Sequence, residues 1–203
     1  MHEWPAVLDR GVATRAMPGE RRSGDRAVLV PYPGGALVGA IDGLGHGDDA
    51  ADAAVLAERV LTAAPQGDPR ALLERCHRAL LRSRGAVMTL AWIDLAERTL
   101  RWTGVGNVEG RLVRAGEDPR APTEGAFVRG GVVGYNLPDI RVTTTTLGPG
   151  DTIVLATDGV ASNFGRAIAH GAGAQATADR ILDAHAKGTD DALVVVVRFQ
   201  PAA

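Results

Sequence analysis

The chain has 203 residues, of which 45% are hydrophobic and 23% are charged, and its formal net charge at pH 7 is −2. These values predict one globular domain over residues 1–203, and the balanced charge argues against a nucleic-acid-binding or anionic-membrane surface. The single cysteine, Cys76, the absence of an apolar run of ~18 residues and the charged, proline-containing start at Met1–Arg10 favour a cytoplasmic protein.

The order of the elements predicts an α+β fold. Short apolar or alternating segments predict strands, in chain order, at Ala27–Val30, Ala36–Ile41, Ala86–Leu95, Thr99–Val105, Val108–Arg114, Ile140–Leu147, Thr152–Ala156 and Ala192–Phe199. Helical spacing and capping residues predict helices at Asp48–Ala64, Asp68–Arg84, Asn163–His170 and Ala174–Ala186. Gly116–Gly131 is polar, contains two prolines and predicts a mobile loop. Because strands mostly follow strands, helices packed on antiparallel sheets fit better than a parallel sheet.

Several aspartates lie at the ends of the predicted strands. Asp42 and Asp158 each follow an apolar run and precede a glycine, while Asp25 precedes the first predicted strand and Asp190–Asp191 the last. If these carboxylates meet at one end of the sheets, they need a counter-charge, and hard Mg²⁺ or Mn²⁺ is the simplest choice. Two such ions could share a water molecule, lower its pKa and hold a phosphate. One cysteine and five scattered histidines give no zinc-binding spacing.

A structural reading of each residue stays open at this point. An aspartate before glycine at a strand end is often only a turn residue, and this holds for Asp42, Asp158 and Asp25. His46 suits a loop between two glycines, and Asp48 and Asp49 suit the start of a helix. The residues therefore point to chemistry only as a set.

Four short motifs in this set resemble PPM-type metal-dependent protein serine/threonine phosphatases. They are SGD at 23–25, DGLGHG at 42–47, ATDG at 156–159 and TDDALVVVVR at 189–198. The chain looks most like the bacterial SpoIIE-like branch and, within it, the small stand-alone RsbX-type enzymes. TLRWTGVGNVEGRLVR and GGVVGY at 130–135 are also similar to that branch, so the resemblance covers residues 11–199. It implies a four-layer α-β-β-α sandwich, two antiparallel sheets flanked by helices, with metals at one end.

The resemblance also implies ligands for two Mn²⁺ or Mg²⁺ ions. Asp42 matches the carboxylate that bridges both ions, and the Gly43 carbonyl matches a ligand of one of them. Asp158 and Asp190 match the carboxylates of the second ion, and Asp25 matches an acidic position that helps to fix the first, partly through water.

Some positions depart from the family pattern. Asp191 matches a neighbour that orients the site, or exchanges roles with Asp190. Ser23-Gly24 replaces the double glycine that many relatives have before the first aspartate, and Gly106-Asn107 lacks the aspartate that can help to hold a third ion. His46 lies four residues after Asp42, so a general-acid role for it differs from the arrangement in the eukaryotic enzymes.

By resemblance, the expected activity is hydrolysis of phosphoserine or phosphothreonine on a protein, through direct attack by a hydroxide that bridges the ions. The expected substrate is a phosphorylated STAS-domain regulator of a bacterial partner-switching or stressosome pathway, and the expected state is a monomer. One alternative is a catalytically inactive module that keeps the fold to bind a partner. Another is a small-molecule hydrolase, although 4% aromatic residues give no platform for a base or sugar.

Overall fold

The computed structural model describes residues 2–116, 124–168 and 171–200. Its strands are β1 (Leu8–Arg15), β2 (Asp25–Tyr32), β3 (Gly35–Gly43), β4 (Ala86–Asp94), β5 (Thr99–Val105), β6 (Glu109–Val113), β7 (Glu124–Gly125), β8 (Val128–Arg129), β9 (Thr143–Thr146), β10 (Thr152–Ala156) and β11 (Ala192–Phe199). Its α-helices are α1 (Asp48–Ala63), α2 (Pro69–Leu80) and α3 (Ala174–His185), and Phe164–Ala167 form a 3-10 helix.

The strands form two sheets. The first has the order β2-β3-β4-β5-β8, with β9 also paired to β5, and the second has the order β1-β11-β10-β6-β7. All pairings are antiparallel except the two-residue contact between β5 and β8. The predicted α+β sandwich of two antiparallel sheets is therefore confirmed, with one short parallel edge.

Three groups of buried side chains hold the four layers together. The inner group lies between the sheets and includes Trp102, Leu155 and Val195. Helices α1 and α2 bury a second group against the outer face of the first sheet, and α3 buries a third against the second sheet. Because side chains alternate along a strand, each sheet can supply apolar residues to both of its faces at once.

Most predicted elements match the observed ones, and Asp68 caps α2 by accepting a hydrogen bond from the Ala71 backbone N–H at 2.9 Å. That helix ends at Leu80, four residues before the predicted end, where the Ser83 backbone N–H and hydroxyl both donate to the Leu80 carbonyl. Strand β1 is not among the predicted elements, because its alternation is interrupted by exposed charged residues at the edge of the sheet.

Three predicted segments, one strand, one loop and one helix, were wrong in part. Of the segment Ile140–Leu147, only Thr143–Thr146 is a strand, because Ile140 is buried beneath the helices instead of pairing with a strand. The predicted loop Gly116–Gly131 contains β7 and β8, while its residues 117–123 lie outside the described part. The predicted helix Asn163–His170 is a 3-10 helix over Phe164–Ala167, and residues 169–170 also lie outside the described part.

Within the described ranges, every helix is too short or too polar to span a bilayer.

Candidate metal centre

Asp25 and Asp42 face each other as cross-strand partners of β2 and β3 at one end of the first sheet. Ala27 and Ala40, two residues away along the two strands, contact the core between the sheets. Because side chains two residues apart share a face, both aspartates also lie on the side that faces the second sheet.

The second sheet contributes two more carboxylates at the same end. Asp158 lies two residues beyond β10, and Asp190 lies two residues before β11, the strand with which β10 pairs. Both side chains line a cleft of about 470 Å³ together with Asp42. Among the described residues, the lining is Met17, Asp42, Leu44, Gly45, His46, Val87, Gly106, Asn107, Gly130, Gly131, Asp158, Thr189 and Asp190.

The glycines that follow Asp42 and Asp158 are required by close packing. A Cβ on Gly43 would overlap the Ala50 carbonyl oxygen in α1, and a Cβ on Gly159 would overlap the Asp191 carbonyl oxygen. Neither glycine has a positive φ, so neither is needed for turn geometry. The two Asp-Gly pairs are thus places where a neighbouring backbone approaches the strand end closely.

Asp25 and Asp191 lie behind the cleft, and both are buried. Asp191 accepts hydrogen bonds from the backbone N–H groups of Met17, at 2.8 Å, and Gly24, at 2.7 Å, using both carboxylate oxygens. The Thr157 hydroxyl donates to Asp25 Oδ2 at 2.7 Å. Asp191 therefore fixes the segment that leads into β2.

The electrostatic environment favours a bound cation. Burial, as the largest cause, and the neighbouring carboxylates, Asp25 first and then Asp158, together raise the pKa of Asp42 to about 8. The pKa of Asp25 is raised to about 7: burial is the largest cause, the Thr157 hydrogen bond opposes the rise, and the charge of Asp191 adds to it. A divalent ion would supply the positive charge that these carboxylates lack.

The side chains present are hard oxygen donors, which suits Mg²⁺ or Mn²⁺. In the part of the chain that the structure describes, no three His, Cys, Asp or Glu side chains form a ready-made ligand group. Mg²⁺ commonly keeps several waters and takes only one or two carboxylates, so the residues fit ions that complete their shells with water and with carbonyl oxygens such as that of Gly43.

Asn107 and His46 make two further polar contacts at the cleft. The Asn107 amide, in the turn between β5 and β6, donates to Asp158 Oδ2 at 2.8 Å and so orients that carboxylate. His46 lines the cleft with its side chain 61% exposed, and its Nδ1 is 2.8 Å from Glu20 Oε1.

Sequence reasoning did not identify Thr157, Met17 or Glu20 as parts of the site. Thr157 immediately precedes Asp158 and is fully buried, so its position in the ATDG motif was an available signal. Met17 contributes through its backbone N–H, and Glu20 contacts His46, which lies 26 residues further along the chain. No sequence motif indicates either contact.

Residues 33–200 match the family described as Stage II sporulation protein E (SpoIIE). No curated protein sequence matches the chain.

Solved structures share the whole fold. One, described under the bacterial stressosome as a modular system adapted to control secondary messenger signalling, has a TM-score of 0.85 at 25% identity, over 94% of this chain and 99% of the other. RsbX in complex with magnesium has a TM-score of 0.84 at 18% identity, over 98% of each chain. The PP2C phosphatase domain of SpoIIE from Bacillus subtilis has a TM-score of 0.72 at 20% identity, over 97% of this chain and 64% of the other. The chain therefore belongs to the SpoIIE family and has the PPM-type phosphatase fold that it shares with RsbX.

Proposed function

We propose that this protein is a Mn²⁺- or Mg²⁺-dependent phosphatase that hydrolyses phosphoserine or phosphothreonine on a bacterial regulatory protein. The observation that carries the proposal is the convergence of Asp42, Asp158 and Asp190, from both sheets, on one cleft whose described lining contains no lysine or arginine. Membership of a phosphatase-fold family supports the same reaction class.

Within the cleft, Asp42, Asp158 and Asp190 would hold two ions, with the Gly43 carbonyl as a further ligand. Bound divalent cations supply the positive charge that lowers the pKa of a water molecule and neutralises a phosphate. Asp25 and Asp191 would support these ligands without lining the cleft. Asp25 would hold the end of β2 in place, and Asp191 would hold the segment that leads into β2.

We assign the general-acid role to His46, which lines the cleft. Its Nδ1 is engaged by Glu20, which leaves Nε2 to protonate the serine or threonine oxygen as it leaves. The single cysteine is buried inside α2 and is absent from the cleft lining, so a thiol nucleophile has no part in this reaction.

The proposed substrate is a phosphorylated STAS-domain protein of a stressosome or anti-anti-sigma pathway, and the proposed location is the cytoplasm. Support comes from the likeness to RsbX and to the stressosome structure. An open cleft at one end of the sandwich also suits a phosphorylated residue presented on a folded partner.

The test uses p-nitrophenyl phosphate and a phosphoserine peptide with purified protein, with Mn²⁺, with Mg²⁺ and with EDTA. We expect metal-dependent hydrolysis that EDTA abolishes, and a loss of about 100-fold or more in Asp42→Ala or Asp158→Ala. Asp183→Ala removes an exposed carboxylate from α3 and is the matched control. Calorimetric titration with Mn²⁺ should show weaker binding in Asp42→Ala and in Asp158→Ala, and unchanged binding in Asp183→Ala.

Near-wild-type turnover by Asp42→Ala would refute the proposal. Binding of metal and of a phosphorylated STAS protein with no hydrolysis would instead identify an inactive binding module.

A further inference from the structure

Two arginines and an aromatic ring form a positively charged patch on the outer edge of the first sheet. The guanidinium groups of Arg129 and Arg141 lie 5.8 and 5.5 Å from the centre of the Phe127 ring. The ring is 37% exposed, so the patch is open to solvent. Cation–π attraction over these distances holds both charged groups near one ring. We call these three residues the Phe127 patch.

Among the described residues, no ion pair compensates the positive charge of the patch. Neither arginine has an ion pair within residues 2–116, 124–168 and 171–200. The nearest acidic residues along the chain are already occupied, because Asp139 pairs with Arg70 and Glu124 pairs with Arg114. Two like charges on one ring repel each other, and an anionic group placed between them would relieve this repulsion.

The patch is continuous with the wall of the cleft. The Arg129 carbonyl accepts a hydrogen bond from the Gly106 backbone N–H at 2.8 Å, and Gly106 lines the cleft. Gly130 and Gly131, the next two residues after Arg129, also line it. A polypeptide with one residue in the cleft would therefore pass close to the patch.

We propose that the Phe127 patch docks an acidic segment of the phosphoprotein substrate while its phosphorylated residue occupies the cleft. This inference rests on the proposed phosphatase function and adds a preference for carboxylates near the phosphorylated residue. The planar guanidinium fork pairs well with carboxylates. The carboxylates of the cleft repel an acidic partner, so positive charge beside the cleft is needed to bind one.

The test compares two phosphoserine peptides that differ only in flanking residues, glutamate in one and glutamine in the other. The readout is the ratio of their kcat/KM values, in which any general loss of activity cancels. We expect the wild-type protein to prefer the glutamate peptide about fivefold to tenfold, the size expected for two exposed charge pairs. The double variant Arg129→Gln/Arg141→Gln should lower this ratio to about one, and 0.5 M NaCl should do the same to the wild type.

Arg10→Gln is the matched control. Arg10 also stacks on an aromatic ring, 4.6 Å from the centre of Trp4, but it lies on β1 in the other sheet. It pairs with Val197, whereas the cleft end of β1 is the Arg15–Ala192 pair. The control should leave the preference unchanged.

A ratio that is unaltered in the double variant, or altered equally by Arg10→Gln, would overturn the docking role while the phosphatase function stands. If the wild type hydrolyses neither p-nitrophenyl phosphate nor either peptide, the proposed function fails. In that case fluorescence anisotropy with the labelled glutamate peptide decides the docking question, since tighter binding to the wild type than to the double variant supports it and equal binding overturns it.

Discussion

The Thr157 hydroxyl donates a hydrogen bond to Asp25 Oδ2 at 2.7 Å, from the end of a strand in one sheet to a strand of the other. The Thr157 hydroxyl oxygen also accepts a hydrogen bond from the Leu193 backbone N–H at 2.9 Å. One buried hydroxyl therefore links β2, β10 and β11 at the end of the sandwich where the carboxylates meet.

Thr157→Val keeps the shape of this side chain and removes both hydrogen bonds. We expect a loss of about 1–3 kcal/mol in the free energy of unfolding, because the Leu193 N–H is left buried without an acceptor. We also expect Mn²⁺ affinity to fall about 10–100-fold, because Asp25 is no longer held in place. Chemical denaturation and calorimetric titration measure the two effects. Thr157→Ser retains the hydroxyl and should behave as the wild type; equal losses in both variants would contradict the hydrogen-bonding role.

The stability of the metal-free protein should fall as the pH rises. The pKa values of Asp25 and Asp42 are raised in the folded protein to about 7 and about 8, from an ordinary value of 3.8. The folded state therefore binds protons more tightly than the unfolded chain, and this contribution to stability is complete below about pH 4 and is lost as the pH rises through 7 to 8.

Asp42→Asn should remove part of this dependence. At pH 8.5 without metal, we expect the variant to be more stable than the wild type by on the order of 1 kcal/mol, or ~3 °C in Tm. Thermal unfolding at pH 5 and pH 8.5, with EDTA and with Mg²⁺, measures the effect, and Mg²⁺ should reduce the decline in the wild type. Asp183→Asn serves as the control. A wild-type Tm that does not change with pH in EDTA would contradict the electrostatic account.

Gly43→Ala should destabilise the fold by more than about 3 kcal/mol, because its Cβ would overlap backbone atoms of Ala50 that cannot move without shifting α1. Gly125→Ala is the matched control, since a Cβ there would meet its nearest neighbour, the Gly110 carbonyl oxygen, at an ordinary 3.6 Å. Differential scanning calorimetry of both variants measures the difference. Equal Tm values would show that α1 can retreat from the strand end.

Cys76 should be unreactive in the folded protein. It is completely buried, and burial raises the pKa of its thiol to about 12, so very little thiolate is present at neutral pH. We expect no reaction with Ellman's reagent until the protein is unfolded, and no loss of phosphatase activity after iodoacetamide treatment. Rapid labelling of the native protein together with inactivation would contradict the exclusion of a thiol mechanism.

The sequence predicted the strand ends because continuous apolar runs stop just before Asp42 and Asp158, and backbone leaves a sheet where such runs stop. It could not predict which carboxylates reach the cleft. Asp190 and Asp191 are adjacent and chemically identical, yet only Asp190 lines the cleft, while Asp191 is taken up by backbone N–H groups near Gly24. That difference depends on contacts between segments about 167 residues apart in the chain.

The errors in the predicted strands also arise from contacts between distant segments. Ile140 belongs to an apolar, β-branched run, but its burial under α2 ends the strand pattern at that side. The sequence pattern of β1 is weak because only part of each side of an edge strand is buried. Phe127 and Arg129 lie in the segment predicted as a loop, and Arg141 lies in a segment predicted as a strand, so nothing in the sequence indicated that the three side chains meet.

The alignment of Asp25 with Asp42 is fixed at the opposite end of their strands. A two-residue turn, Pro33-Gly34, joins β2 to β3 and pairs Tyr32 with Gly35. Both turn residues are exposed, and the strand they begin extends roughly 23 Å to the aspartates. Loss or gain of a single residue at this turn would turn one aspartate to the wrong face of its sheet. An exposed turn usually tolerates changes in length. At Pro33-Gly34, however, a deletion would separate the two carboxylates at the far end of the strands.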